Sequence, residues 1–281
     1  MSLFSLQFII FWLVTASAYY LVPKKHKVQN AVLLAANTVF YLFFNIPLFF
    51  FLLAEIAFSF FAARKISSSE DIRVKRRWMI GVVAVELFAL LFFKYFNMLF
   101  ASSGIAAIFN DSVSDAVSRI IVPLGISFFT LKIISYTVDI YKNKYKCENS
   151  FWDYYIYVSF FPQISSGPIE RADGFLAQLK APRKASYDQT VFGLKTVLWG
   201  LFKKMVIADN LAVIVNRVYN DVGSYTGPVL FLATVFFSVQ LYCDFSGYSD
   251  ISVGLSSLLG FRQTDNFKSP YMASNIKEFW D

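Results

Sequence analysis

Histidine is almost missing from this chain: His26 is the only one, and it stands between Lys25 and Lys27. A single imidazole argues against a histidine-based zinc site and against a serine-hydrolase triad, which needs a histidine as base. No Gly-x-Ser-x-Gly elbow is present either. Cysteine is nearly as scarce. Cys147 and Cys243 have no metal-ligand spacing and make no disulfide framework. Charge is sparse too, at 16% of residues against 57% apolar and 19% aromatic, which excludes a disordered chain. The 33 Phe and 16 Tyr cannot all hide in a soluble core of 32.1 kDa, and a mean hydropathy of +0.51 agrees. The apolar residues also come in long blocks. The composition is that of a polytopic, all-α membrane protein whose primary partner is the lipid bilayer. With no linker or repeat dividing it, one domain is expected over residues 1–281. The net charge of +7 does not imply nucleic acid, because basic residues in such a chain mark cytoplasmic loops.

The first apolar block, Leu3 to Val22, is followed by Pro23-Lys24-Lys25-His26-Lys27. A signal peptide carries its charge before the apolar core, so this segment reads as a retained span. The block from Ala31 to Phe61 has 31 residues, about 46 Å as one helix, which exceeds a hydrocarbon core of about 30 Å. Asn45-Ile46-Pro47 interrupts it, since proline has no N–H for the preceding turn. Two short spans are expected, Gln29–Phe44 and Pro47–Ala63, each about 24 Å long and needing locally thinned lipid or half-buried ends. A basic loop from Arg64 to Arg77 precedes a span over Trp78–Phe100, and residues 101–118 carry Asp111 and Asp115 but no lysine or arginine. Both basic loops are therefore cytoplasmic and the N-terminus lies outside. Arg119 to Tyr141 is apolar, broken early by Pro123 and Gly125. After the basic patch Lys142–Lys146, the aromatic run Phe151–Phe161 is only 11 residues long and cannot cross as a helix. Asp188–Val218 has a helical pattern, with Leu194, Val197, Leu198, Leu201 and Phe202 on one face, and part of it is expected along the cytoplasmic interface. Pro228–Tyr242 reads as a span that ends at the polar segment Cys243–Asp250.

Three polar groups fall at membrane depth, where an ionisable side chain is expensive unless it pairs or faces water. Glu86 and Lys94 are eight residues apart, and a snorkelling Lys94 near its helix end is the favoured reading. The segment Pro162-Gln163-Ile164-Ser165-Ser166-Gly167-Pro168-Ile169-Glu170-Arg171 fits a re-entrant turn and a surface loop after an interfacial helix equally well. Its glycine between hydroxyls would let backbone donors approach an oxygen-rich ligand, but no phosphate-loop spacing accompanies it. Tyr242-Cys243-Asp244-Phe245-Ser246-Gly247-Tyr248-Ser249-Asp250 gathers two carboxylates and two phenols, and fits either a functional cluster or a helix start capped by Ser246 or Ser249.

These segments carry a resemblance. Pro123-Leu124-Gly125-Ile126-Ser127-Phe128-Phe129-Thr130, then Tyr136-Thr137-Val138-Asp139-Ile140-Tyr141, resemble the membrane-bound O-acyltransferases. Phe160–Gln163 through Gly167–Ile169, the Tyr242–Asp250 segment, and Asn266–Tyr271 through Asn275–Trp280 follow in the family's order. Within the family the chain is most similar to the bacterial branch that O-acetylates alginate and related exopolysaccharides. The branch that helps load D-alanine onto teichoic acids is the nearest competitor. The resemblance implies a membrane funnel in a bacterial inner membrane, with Gln163, Ser166, Asp244, Tyr248 and Asn266 as lining. It implies acetyl-CoA or another acyl thioester as donor with no bound cofactor, a polysaccharide acceptor, and an extracytoplasmic acetyltransferase as partner. In the family the Phe-Trp motif leads into Arg-Trp-His, and a second functional histidine lies further on. This sequence closes at Asp281, just after Phe279-Trp280, so no catalytic residue is assigned here. The expectation is an N-terminal portion, inactive by itself in acyl transfer. Two other classes compete: a polytopic transporter or flippase, for which broken spans are equally apt but internal symmetry is missing, and an inert membrane scaffold.

Overall fold

The computed structural model describes residues 5–23, 25–102, 121–184, 186–264, 267 and 270–280. Lys24, Arg119, Asn266 and the acidic residues Asp111 and Asp115 lie outside the described residues. Among the described residues the fold is all-α, without strands. Three helices are long and apolar enough to cross a membrane, namely Ile46–Ser68, Ile72–Phe96 and Gly227–Leu258, and Leu6–Leu21 is a shorter apolar helix. The contacts gather in two compact units, one of Met1–Ser165 with Ile169–Pro182 and one of Ser166–Pro168 with Arg183–Asp281.

The first unit contains α1 (Leu6–Leu21), α2 (His26–Phe44), α3 (Ile46–Ser68), α4 (Ile72–Ser102), α5 (Ile126–Tyr141), α6 (Phe151–Ser159) and α7 (Ala172–Leu179). Ser5 caps α1 by accepting from the Phe8 N–H at 3.2 Å. The expected break between α2 and α3 is present at Asn45, whose side chain accepts from Leu48 N–H at 3.0 Å while Pro47 occupies the first turn. Helix α3 is longer than Pro47–Ala63, because Arg64 and Lys65 continue it. At 23 residues, about 35 Å, it is long enough to cross without thinned lipid. The basic stretch Arg73–Arg77 is likewise no loop but the opening of α4, where Asp71 Oδ1 accepts from Arg73 N–H at 2.8 Å.

Aromatic rings fill the middle of this unit. Tyr136, Tyr154, Tyr157, Phe160, Phe161 and Phe175 are all buried, with Tyr136 and Tyr154 rings 4.6 Å apart and Phe160 and Phe175 rings 4.9 Å apart. The polar turn after α6 is enclosed by them. Phe161 N–H donates to Asn37 Oδ1 at 3.0 Å, and Gln163 and Ile164 are buried. That decides between the two sequence readings: the turn is buried in protein and is not a surface loop, as non-helical backbone beside lipid must be.

In the second unit α8 (Tyr187–Leu201), a π-helical segment (Phe202–Ala208) and α9 (Asp209–Tyr219) form one continuous rod packed on α10 (Gly227–Leu258). The closing pieces are the 3₁₀ turn Pro270–Met272 and α11 (Ile276–Trp280). Two sequence expectations are corrected here. The span does not end at Tyr242, and neither Ser246 nor Ser249 caps a new helix; α10 runs through the polar segment to Leu258. The apolar face expected along an interface is exposed at Leu194, Leu198 and Phe202 and takes no part in the contact with α10. The small residues make the contact. A Cβ on Gly200 would lie 2.6 Å from the Gly247 carbonyl oxygen, and one on Gly254 would lie 2.7 Å from that of Gly193. Only glycine lets the two backbones meet this closely.

Candidate functional site

Each unit carries a polar seam, the first buried and the second partly exposed. In the first, the chain turns at Gly125, which holds a left-handed φ of 72° before α5 begins. A Cβ there would overlap the Ile164 carbonyl oxygen, so the turn at Pro123–Gly125 and the turn at Phe160–Ser165 touch backbone to backbone. Tyr41 reinforces the contact, its hydroxyl donating to the Leu124 carbonyl at 2.9 Å. One helical stretch further on, Lys132 is almost fully buried. Its ammonium donates to Gln163 Oε1 at 2.7 Å and to the Tyr157 carbonyl at 3.1 Å, and stands 5.3 Å from the centre of the Tyr157 ring. Gln163 is thus an acceptor for a buried cation, and its amide nitrogen has no partner among the described residues. Tyr157 passes the tie onward, its hydroxyl donating to the Glu170 carbonyl at 3.0 Å.

The second seam lies where Gly200 crosses Gly247. The π-helical turn widens the rod, and the consecutive residues Lys203 and Lys204 both reach α10. Lys203 Nζ lies 2.5 Å from Asp250 Oδ2 and donates to Ser246 Oγ at 3.2 Å. Lys204 Nζ bridges Asp244 Oδ1 at 2.6 Å and Asp209 Oδ1 at 2.8 Å, and sits 5.4 Å from the centre of the Tyr248 ring. Tyr242 continues the seam, with its ring 5.8 Å from Lys203 Nζ, 5.6 Å from the Tyr271 ring and 6.4 Å from the Phe267 ring. Each charge meets its opposite, so this wall carries polar groups into a bilayer without a lone buried ion.

Of the residues expected as lining, Asp244 and Tyr248 meet at Lys204 in the second unit, and Gln163 pairs with Lys132 in the first. Ser166 is half-buried at the end of the turn, and Asn266 lies outside the described residues. Glu86 and Lys94 do not touch, as their spacing implied. Glu86 is fully buried, whereas Lys94 is exposed with its ammonium 5.6 Å from the Tyr95 ring. Sequence reasoning missed Lys132, Lys203 and Lys204 as partners. Each interrupted an apolar run, which was the available signal.

The motifs converge with comparison to known proteins. The chain is 33% identical over 266 residues to a probable alginate O-acetylase of Azotobacter vinelandii, an alignment covering 93% of this chain and 52% of that protein. It is 32% identical over 274 residues to a peptidoglycan O-acetyltransferase of Helicobacter pylori, covering 88% of this chain and 51% of the relative. A teichoic acid D-alanyltransferase of Bacillus subtilis is 31% identical over 162 residues, 56% of this chain and 40% of the relative. The chain belongs to the membrane-bound O-acyltransferase family. No family model matches it. As a member of the family it spans about half the length of the curated relatives it matches. All the motif segments quoted for the resemblance fall within the same two units, and the described parts of three of them supply the seam residues Gln163, Asp244, Tyr248 and Tyr271.

Proposed function

We propose that the protein is a bacterial inner-membrane O-acyltransferase that moves an acyl group, acetyl in the first place, from a cytoplasmic thioester such as acetyl-CoA to a hydroxyl of a cell-surface polysaccharide such as alginate. The observation that carries this reading is the one-third identity to probable alginate O-acetylases along 93% of the chain. The D-alanyl reading rests on a match over only 56% of it. Delivery to the polymer is assigned to an extracytoplasmic acetyltransferase partner, and the N-terminus to the outer side. Transfer from a thioester to a hydroxyl needs a base for the hydroxyl proton, and imidazole titrates in the right range. Neither seam contains an imidazole. His26 instead stands at the start of α2, lining a surface cavity of about 460 Å³ with Lys27, Asp153 and Lys180. On this reading the seams hold and shape the path for the reactants, with Asp244 fixed by Lys204 as a positioning group.

The test is O-acetyl content of the polysaccharide in cells lacking their own enzyme and supplied with a full-length version of this protein. Restored acetylation is expected. D-alanine on a teichoic acid instead would transfer the proposal to the competing branch, and polymer export without any acylation would sink it. In the same assay Asp244→Ala should lower acylation by about tenfold or more, as misplaced reacting groups do, and Glu70→Ala on the exposed α3–α4 connection should not. Reporters fused after Lys27 and Arg73 should read cytoplasmic and one after Asp111 outside.

A further inference from the structure

Glu55 and Glu86 stand alone as carboxyls in the middles of the two helices of the α3–α4 hairpin. Glu55 comes 13 residues before the end of α3 and Glu86 comes 14 after the start of α4, so both lie at one depth, about 20 Å from the connection. The side chains are 7% and 0% exposed. Their carboxyl groups face each other, and Glu86 also faces the hydroxyl of Thr130 on α5, a side chain with no exposure at all. The three helices pack mutually. Among the described residues no lysine or arginine pairs with either acid, and the other titratable group facing the pair is Tyr154 of α6, whose hydroxyl is engaged with Ser59 at 3.0 Å. Glu55 Oε2, both carboxyl oxygens of Glu86 and Thr130 Oγ1 have no partner among the described protein atoms.

The acids alone would be only a cluster. Thr130, buried, unpartnered and turned toward Glu86, is the independent sign that the place holds something. Two carboxylates offer acceptors only, and at contact in a low dielectric they repel. Membrane interiors make an uncompensated charge expensive as well. One hydrogen nucleus between the acids removes a negative charge and converts the carboxyl contact into a hydrogen bond. The Thr130 hydroxyl supplies a second donor, so the open positions of the pair are filled without any metal. We propose that Glu55, Glu86 and Thr130 form a proton-binding site inside the α3–α4–α5 packing, with one hydrogen shared between the two carboxyl groups.

The test is infrared spectroscopy of the full chain in phosphatidylcholine vesicles, in light and heavy water. The wild type should show the C=O stretch of a protonated carboxylic acid at neutral pH. That signal should be lost in Glu55→Gln/Glu86→Gln, in which amides replace the acids at nearly constant shape. Thr130→Val, which deletes the hydroxyl and keeps the volume, should shift its frequency. The Thr130→Val comparison decides the matter if the double variant is not recovered folded. An acid carbonyl signal that is missing at neutral pH, or unchanged in these variants, overturns the proposal. So does a thermal midpoint that rises in NaCl over choline chloride for the wild type but not for the double variant, because the site would then hold a metal cation.

Discussion

Lys132 and Lys203 are both buried lysines in apolar helices, and they are held in opposite ways. Lys132 is met by neutral oxygens, the Gln163 amide and the Tyr157 carbonyl, and ties one buried turn to the helix beside it. Lys203 is met by a carboxylate, Asp250, and ties two helices whose backbones touch at glycines. The difference is one of what remains when the lysine is removed. At Lys132 it would be acceptors that lack a donor, whereas at Lys203 it would be a carboxylate without its counter-charge, which is the costlier remainder. The first seam therefore acts as a staple for a fixed turn. The second is a neutral pair of charges, and is the one suited to sit against a wet path.

The largest effect should come from the turn that Lys132 secures. Gly125→Val places a branched side chain at a left-handed φ and drives it into the Ile164 carbonyl, so a loss of about 4 kcal/mol or more is expected, seen as failure to recover folded protein in detergent. Next, Lys203→Met should cost about 2–3 kcal/mol by stranding Asp250, with the figure held down because that carboxylate is about a quarter exposed. The added substitution Asp250→Leu should recover most of it in thermal unfolding. No recovery would erase the contrast between the seams. Lys132→Met should cost less, about 1–3 kcal/mol, and no removal of an acid should rescue it. Rescue by Glu170→Gln would show that Lys132 is ion-paired after all.

The smallest effect belongs to a surface counterpart. Lys180 is 58% exposed and bonded to Glu148 at 2.7 Å, and this hydrogen bond holds its ammonium above the ordinary lysine range. The contribution is present at neutral pH and disappears only as alkali removes the Lys180 proton, because the folded state keeps that proton longer than the unfolded chain. Glu148→Gln should cost less than about 1 kcal/mol at neutral pH, and the gap to wild type should close in strongly alkaline solution.

Much of this was legible in the sequence because apolar runs and their interruptions state it directly. Asn45 and Pro47 announced the hairpin between α2 and α3, and Pro162 to Pro168 announced irregular backbone. What failed was the reading of polar residues as ends. Asp244 and Asp250 looked like the end of a span because their partners, Lys203 and Lys204, lie some forty residues upstream, and a sequence pattern shows no such pairing. With charges neutralised in place, the helix has no reason to stop. The packing face of α8 was missed for a related reason. Large apolar residues can face lipid freely in a bilayer and so do not show where helices meet, which glycines mark instead. One signal stood unused: Glu55 and Glu86 are nearly equidistant from the Ser69–Asp71 connection, as facing residues in an antiparallel hairpin must be.

Tyr271 donates to the carbonyl of Ser238, 33 residues earlier, at 2.8 Å. Ser238 lies about 30 Å before the C-terminal end of α10, a distance that equals the thickness of a hydrocarbon slab. The chain has thus come back along the helix to that level, and Ala273, Ser274 and Asn275 beside it are not helical. The Ala273 N–H donates to the Pro270 carbonyl at 3.2 Å and the Ser274 N–H to Glu278 Oε2 at 2.8 Å, so part of this backbone brings its own partners. The surroundings of α10 are consequently not the same on all sides. One flank can face lipid, whereas the flank that carries Tyr242 and Tyr271 is covered by returning chain, which brings polar backbone to the level where the slab ends.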